Sequence, residues 1–122
     1  MENSELQDWV SAYLEAQERR VADSGDPLWW AVDRFFELMD AKPEDCWQAI
    51  VEITRRDLSE DLINVVGAGP LEDLIEEHGD KFIDQIEREA AQSPVFKKML
   101  ASVWDGGDSN VWSRVKRARA EI

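Results

Sequence analysis

The sequence predicts an all-α fold, a compact bundle of about seven or eight short helices forming a single helical domain over residues 1–122. Three observations carry this reading. Apolar residues recur at three- and four-residue steps along most of the chain, prolines and capping residues fall where those stripes begin, and no segment shows sustained strict alternation. A chain of 122 residues is long enough to bury a core without disulfides or a structural metal.

The first helix is expected from about Ser4 to about Val21. Ser4 and Gln7 have capping-box spacing, and Leu6, Trp9, Val10, Tyr13, Leu14 and Val21 share one stripe. Ala22 to Gly25 then form a loop. The second helix, Pro27 to Met39, carries Leu28, Trp29, Val32, Phe35, Phe36 and Met39, with Trp30 and Leu38 widening its apolar face. The third, Pro43 to Arg56, turns Cys46, Trp47, Ile50, Val51 and Thr54 inward.

Ser59 is placed to cap a short helix bearing Leu62, Ile63 and Val66, which ends at Gly67. Gly69-Pro70 restarts the chain, and Pro70 to His78 stops at Gly79. Asp80 caps a successor carrying Phe82, Ile83, Ile86 and Ala90. Ser93-Pro94 opens a helix with Val95, Phe96, Met99, Leu100, Val103 and Trp104. Asp105-Gly106-Gly107-Asp108 reads as a turn, and a last helix from Ser109 holds Val111, Trp112 and Val115, with Arg114, Lys116, Arg117 and Arg119 towards its end. All four prolines are thus read as helix starts. Most of the six tryptophans fall on apolar stripes and are expected in the core; Trp30 and Trp112 are the choices for interface anchors.

The rare residues narrow the chemistry. With Cys46 as its one cysteine, the chain cannot form an internal disulfide or a multi-cysteine zinc site, which suits a reducing compartment. The start, Met1-Glu2-Asn3-Ser4-Glu5, lacks the order of a secretory signal, so cytoplasmic residence is expected. No apolar run approaches the roughly 18 residues of a membrane span. His78, the one histidine, is read as the polar ring of a helix's last turn, since imidazole catalysis needs a nucleophile and an orienting group beside it.

Charge is the strongest compositional signal. There are 27 acidic and 14 basic residues, a formal charge of −13, which opposes direct contact with nucleic acid or anionic lipid and favours a cationic partner. Between Asp57 and Glu89 lie 11 acidic and 2 basic residues, whereas Ser109 to Ile122 holds 4 basic and 1 acidic. The basic end is read as complementing helix termini and acidic neighbours rather than as a nucleic-acid tail.

Two motifs fail on inspection. Gly67-Ala68-Gly69 follows no strand, precedes proline and has no phosphate-binding lysine; the residues after it are acidic, so nucleotide binding is not expected. Glu72 and Glu76 are four apart, but a carboxylate di-metal site pairs glutamate with a histidine three residues on, and Ile75 stands three before His78. No metal, cofactor or catalytic residue is expected.

The segment Ala68-Gly69-Pro70-Leu71-Glu72-Asp73-Leu74-Ile75, then His78-Gly79, Phe82-Ile83, Ile86-Glu87 and Ala90, together with Phe96, Leu100, Val103-Trp104 and Val111-Trp112, resembles an uncharacterised family of small bacterial proteins, a domain of unknown function with an A-G-P-L-E-D-L segment followed by H-G. The resemblance spans roughly Leu28 to Arg117. It implies a bacterial origin and a compact helical domain, and it carries no established substrate or catalytic residue.

The leading functional expectation is a non-enzymatic acidic binding protein that neutralises a basic protein partner, most concretely an immunity protein masking a bacterial toxin such as a nuclease. Its face is expected at Glu60, Asp61, Glu72, Asp73, Glu76 and Glu77, with Trp30 and Trp112 as anchors. The alternatives are a phage-type inhibitor imitating the phosphate backbone, an enzyme using paired carboxylates, and a helical adaptor or scaffold.

Overall fold

A computed structural model describes residues 1–104, 106 and 109–120. Among these residues all regular structure is helical, and the fold is all-α. In chain order the elements are α1 (Asn3–Glu18), α2 (Trp29–Ala41), α3 (Pro43–Thr54), α4 (Glu60–Val66), a π-helical turn (Gly67–Leu71), α5 (Glu72–Gln92), α6 (Pro94–Leu100) and α7 (Asn110–Arg119). The chain divides into two compact units, Met1–Asp57 and Leu58–Ile122.

In the first unit α1, α2 and α3 pack pairwise around Trp9, Tyr13, Phe35 and Ile50. Trp9 is fully buried, and a buried indole needs a partner for its N–H; Nε1 donates to the Ala31 carbonyl at 2.9 Å. The Phe35 ring lies 4.6 Å from that of Trp9 and 4.8 Å from that of Tyr13. Arg56 ties the end of α3 to α1, donating to Gln7 Oε1 at 2.6 Å and Ser11 Oγ at 3.1 Å.

Helix boundaries in this unit depart from the sequence reading in instructive ways. α1 starts one residue early, and Ser4 makes no cap; Asn3 Oδ1 instead accepts from Gln7 Nε2 at 3.4 Å. Its C-terminus closes before Val21 in a Schellman motif, with Val21 N–H on the Ala16 carbonyl and Arg20 N–H on the Gln17 carbonyl. Arg20 occupies the left-handed position of that motif, φ 56°, where glycine is usual. Pro27 precedes α2 rather than opening it, because Asp26 Oδ1 accepts from Leu28 N–H at 2.9 Å and forms a turn. On α3 the buried face is Pro43, Cys46, Ala49, Ile50 and Ile53, so Trp47 and Val51 lie at its half-buried margin.

In the second unit three serine caps fall where the sequence places them. Ser59, Ser93 and Ser109 accept from the backbone N–H groups of Leu62, Phe96 and Trp112 at 3.2, 3.1 and 3.2 Å. Each such cap contributes about 1 kcal/mol. The chain does not stop at Gly67. Gly67 is helical, φ −62° and ψ −48°, and α4 runs through the π turn into α5. Pro70 explains the widened turn: its ring would press on the carbonyl four residues back and it offers no N–H. The wider turn gives Glu72 N–H the Gly67 carbonyl, five residues back.

Glycine at 67 is set by a neighbouring helix, not by a helix end. A Cβ there would lie 2.3 Å from the Met99 carbonyl oxygen and 2.9 Å from Ser102 Cβ, so α6 crosses at backbone contact. Gly79 is similar, with Val111 Cγ1 of α7 at 2.6 Å from the same construction. α5 is two helical segments that meet at a kink, where His78 leaves helical geometry at φ −137° and ψ 23°, so the break expected at His78-Gly79 is present. Of the four prolines, Pro43 and Pro94 open helices as read. The Asp105-Gly106-Gly107-Asp108 turn lies, except for Gly106, outside the described residues.

Candidate functional site

The acidic residues singled out by sequence separate into two groups along the α4–α5 rod. Glu60 and Asp61 are exposed on the first turn of α4, and Glu60 pairs with Lys98 at 3.2 Å. Both partners are largely exposed, so this bridge contributes about 0–1 kcal/mol. Glu72 lies twelve residues beyond Glu60, about 18 Å along the rod at 1.5 Å per residue.

Glu72, Asp73, Glu76 and Glu77 converge on the first turns of α5. Glu72 and Asp73 are half-buried and Glu76 and Glu77 are exposed. Helical spacing sets 72 against 76 and 73 against 77, two like-charge pairs on neighbouring rows. Burial pushes the Asp73 carboxyl above its usual range, and the nearby Glu77, Glu72 and Glu76 push it further in the same direction. Asp73 thus feels its three acidic neighbours.

Glu72 has a structural duty as well. Its Oε1 accepts from the Trp104 backbone N–H at 2.7 Å, just beyond the end of α6. That bond fixes the peptide carrying the most exposed large apolar side chain among the described residues, since Trp104 is 77% exposed. Trp112 is 7% exposed and belongs to the core of α7, with Gly106 against its indole. Trp30 is 41% exposed, and the Arg34 guanidinium lies 4.9 Å from its ring centroid. Sequence reasoning missed Trp104 because its position extends the stripe of Phe96 and Leu100. The available signal was its place directly before Asp105-Gly106-Gly107-Asp108, where a helical stripe no longer applies.

Elsewhere in this unit acids are matched by the basic last helix. Arg114 donates through Nε to Glu87 Oε2 at 3.0 Å and through Nη2 to Asp84 Oδ1 at 2.6 Å, with a further Nη2 bond to Glu87 Oε1. The hydrogen bond from Arg114 holds the Glu87 carboxyl below its usual range, and the two carboxylates raise the guanidinium's pKa. Arg119 Nη1 donates to the Val103 carbonyl at 2.7 Å and the Leu100 carbonyl at 3.4 Å, serving the negative end of α6. Arg114 and Arg119 of the basic end are therefore engaged within the unit.

A cleft of about 370 Å³ opens where α5 bends, between Glu76, Glu77, His78 and Asp80 on one side and Ser109, Val111 and Trp112 on the other. Among the described residues no group of three or more His, Cys, Asp or Glu side chains is disposed to hold a metal ion. No helix among them is long and apolar enough to cross a membrane.

The chain belongs to a family of unknown function (DUF6869), whose model matches residues 17–122. The matched span runs from the last turn of α1 through α7 and includes all four crowded carboxylates and Trp104. Comparison with curated proteins and with solved structures returns no match.

Proposed function

We propose that this protein is a non-enzymatic, acidic binding protein of the cytoplasm that neutralises a basic protein partner, most concretely as an immunity protein against a bacterial toxin. The observation that supports this reading is the crowding of Glu72, Asp73, Glu76 and Glu77, with the Asp73 carboxyl raised by burial and by its three acidic neighbours. In the same unit Glu87, Asp84 and Glu60 each have a cationic partner. The raised Asp73 carboxyl marks a local cost of crowded like charge that a basic surface relieves on binding. Their shared field also steers such a partner and raises its association rate by 10- to 1000-fold at low salt.

The test is capture of partners by the full chain and by an Asp73→Lys, Glu76→Lys, Glu77→Lys variant, followed by salt titration of the complex. Glu72 is left intact because it holds the Trp104 backbone. The proposal expects a complex that weakens steeply with salt and is lost on charge reversal. Capture of the same partner at unchanged strength by the variant overturns it. Competition by DNA or RNA for that partner distinguishes a phosphate-backbone mimic from an inhibitor that covers a surface nucleic acid does not use.

A further inference from the structure

Two helical irregularities bracket the crowded acids of the second unit. Upstream lies the π turn Gly67–Leu71, where Pro70 has no N–H to give to the helical ladder and Glu72 N–H bonds five residues back, to the Gly67 carbonyl. Downstream, His78 leaves helical geometry at φ −137° and ψ 23°. At each break a glycine is packed against another part of the unit, Gly67 against the Met99 carbonyl of α6 and Gly79 against Val111 of α7. The points where the rod changes course are thus pinned, and the stretch between them, residues 72–77, is under two turns long.

This stretch is held less firmly than the one that follows it. Residues 72–77 bury the side chains of Leu74 and Ile75, and their other four positions are carboxylates. Residues 79–92 bury Phe82, Ile83, Ile86 and Ala90, and Arg114 of α7 bonds to Glu87 and Asp84 there. A helix draws most of its stability from the packing of its apolar face, and like charges four residues apart oppose it. Segments with few buried contacts open locally while the rest of a domain stays folded. Glu76 and Glu77 also line the cleft of about 370 Å³, across from Ser109, Val111 and Trp112, so residues 72–77 supply part of its wall.

We infer that residues 72–77 are a hinged flap on that cleft, turning about the π turn and the His78 kink, and that the mutual repulsion of the flap's own carboxylates sets how often it opens. Opening breaks the short run of helical bonds between the hinges and lifts Leu74 and Ile75 from the core, while α4, α6 and the second part of α5 stay folded. Glu72 Oε1, on the Trp104 N–H at 2.7 Å, is the latch at the flap's upstream end. Removing charge from the flap closes it. The motion belongs to the unbound chain and requires no partner.

Native-state hydrogen exchange of the full chain, followed by NMR at one pH over a series of sub-denaturing urea concentrations, tests the flap. The amides of residues 73–78 are expected to exchange through one shared opening of low urea dependence, at least about tenfold more often than those of residues 82–90. Asp73→Asn with Glu76→Gln removes both four-apart repulsions, 73 against 77 and 72 against 76, and leaves the Glu72 latch intact. That variant is expected to raise the protection of residues 73–78 about two- to fivefold after correction for intrinsic exchange rates. Glu2→Gln with Glu5→Gln, which removes the same number of charges from exposed positions of the first unit, is expected to leave it nearly unchanged. Protection of residues 73–78 equal to that of residues 82–90, or exchange there only with the urea dependence of global unfolding, overturns the inference. So does a local opening that is unchanged in Asp73→Asn with Glu76→Gln, or one that Glu2→Gln with Glu5→Gln suppresses as strongly.

Discussion

The first unit carries 14 acidic and 6 basic residues and the second 13 and 8, so the more negative half of the chain is Met1–Asp57. Yet the crowding of carboxylates sits in the second, where Asp73 feels three acidic neighbours. The aromatic side chains differ as well: Trp30 is paired with Arg34, whereas Trp104, whose backbone N–H is held by Glu72, is 77% exposed. Net charge thus says little about where like charges crowd within a unit.

The two units also hold themselves together differently, and the largest expected effects break that comparison. In the first, the largest fully buried side chain is Trp9, in a core shared with Tyr13, Phe35 and Ile50. Trp9→Ala removes a fully buried indole and its bond to the Ala31 carbonyl, and is expected to cost about 3–5 kcal/mol, read as loss of hydrogen-exchange protection in α1–α3. The second, around a core that includes Phe82, Phe96 and Leu100, also brings α6 to backbone contact at Gly67. Gly67→Ala sets a Cβ against the Met99 carbonyl and is expected to cost about 1–3 kcal/mol, read in the amides of α4 and α6. A Gly67→Ala variant as protected as the parent would show that α6 moves aside without strain.

A smaller change sharpens the first unit. Arg20 is left-handed at the Schellman position of α1, and Arg20→Gly is expected to stabilise the protein by about 0.5–1 kcal/mol in urea unfolding. The smallest expected effect addresses the acidic turn. Asp73→Asn removes one member of the 73–77 repulsion and is expected to add about 0.2–0.5 kcal/mol at neutral pH.

That last gain has a defined pH dependence. The folded-state carboxyl of Asp73 titrates above its ordinary 3.8, so over that window the folded protein binds more protons than the unfolded chain. The parent's penalty is complete above the folded pKa and is relieved as pH falls through it towards 3.8. The difference between Asp73→Asn and parent should therefore shrink on acidification. Glu87 runs the opposite way: its pKa is lowered from 4.5 by Arg114, so its contribution is present above 4.5 and is lost as pH falls through the folded value. Melting midpoints of the parent, Asp73→Asn and Glu87→Gln from pH 7 downward check both signs.

Much of this was legible in the residues. Ser59, Ser93 and Ser109 announce helix starts because a short side chain capping its own backbone is a local interaction. The stripes of Phe82, Ile83 and Ile86 or of Phe96, Met99 and Leu100 announce buried faces because helical periodicity is local too. Four neighbouring acids at 72, 73, 76 and 77 are visible for the same reason. Gly67 does not stop its helix, because glycine serves both left-handed helix ends and close approach to a neighbouring backbone, and only the neighbouring helix tells these apart; at His78-Gly79 the expected break is present. Pro70 was misread as a start because a π turn accommodates it without breaking the rod.

By itself, then, the sequence determined the helical class, the serine-capped starts and the presence of an acidic turn, all properties of residues a few positions apart. Tertiary structure decided which acids are matched, since Arg114 reaches Glu87 and Asp84 across 27 and 30 residues of sequence. It also decided which tryptophan is offered outward. Trp112 and Trp104 both follow apolar stripes, but the first is enclosed in its unit and the second is held at the surface by a carboxylate 32 residues away. Burial and charge pairing depend on neighbours that folding supplies, and no local pattern encodes them.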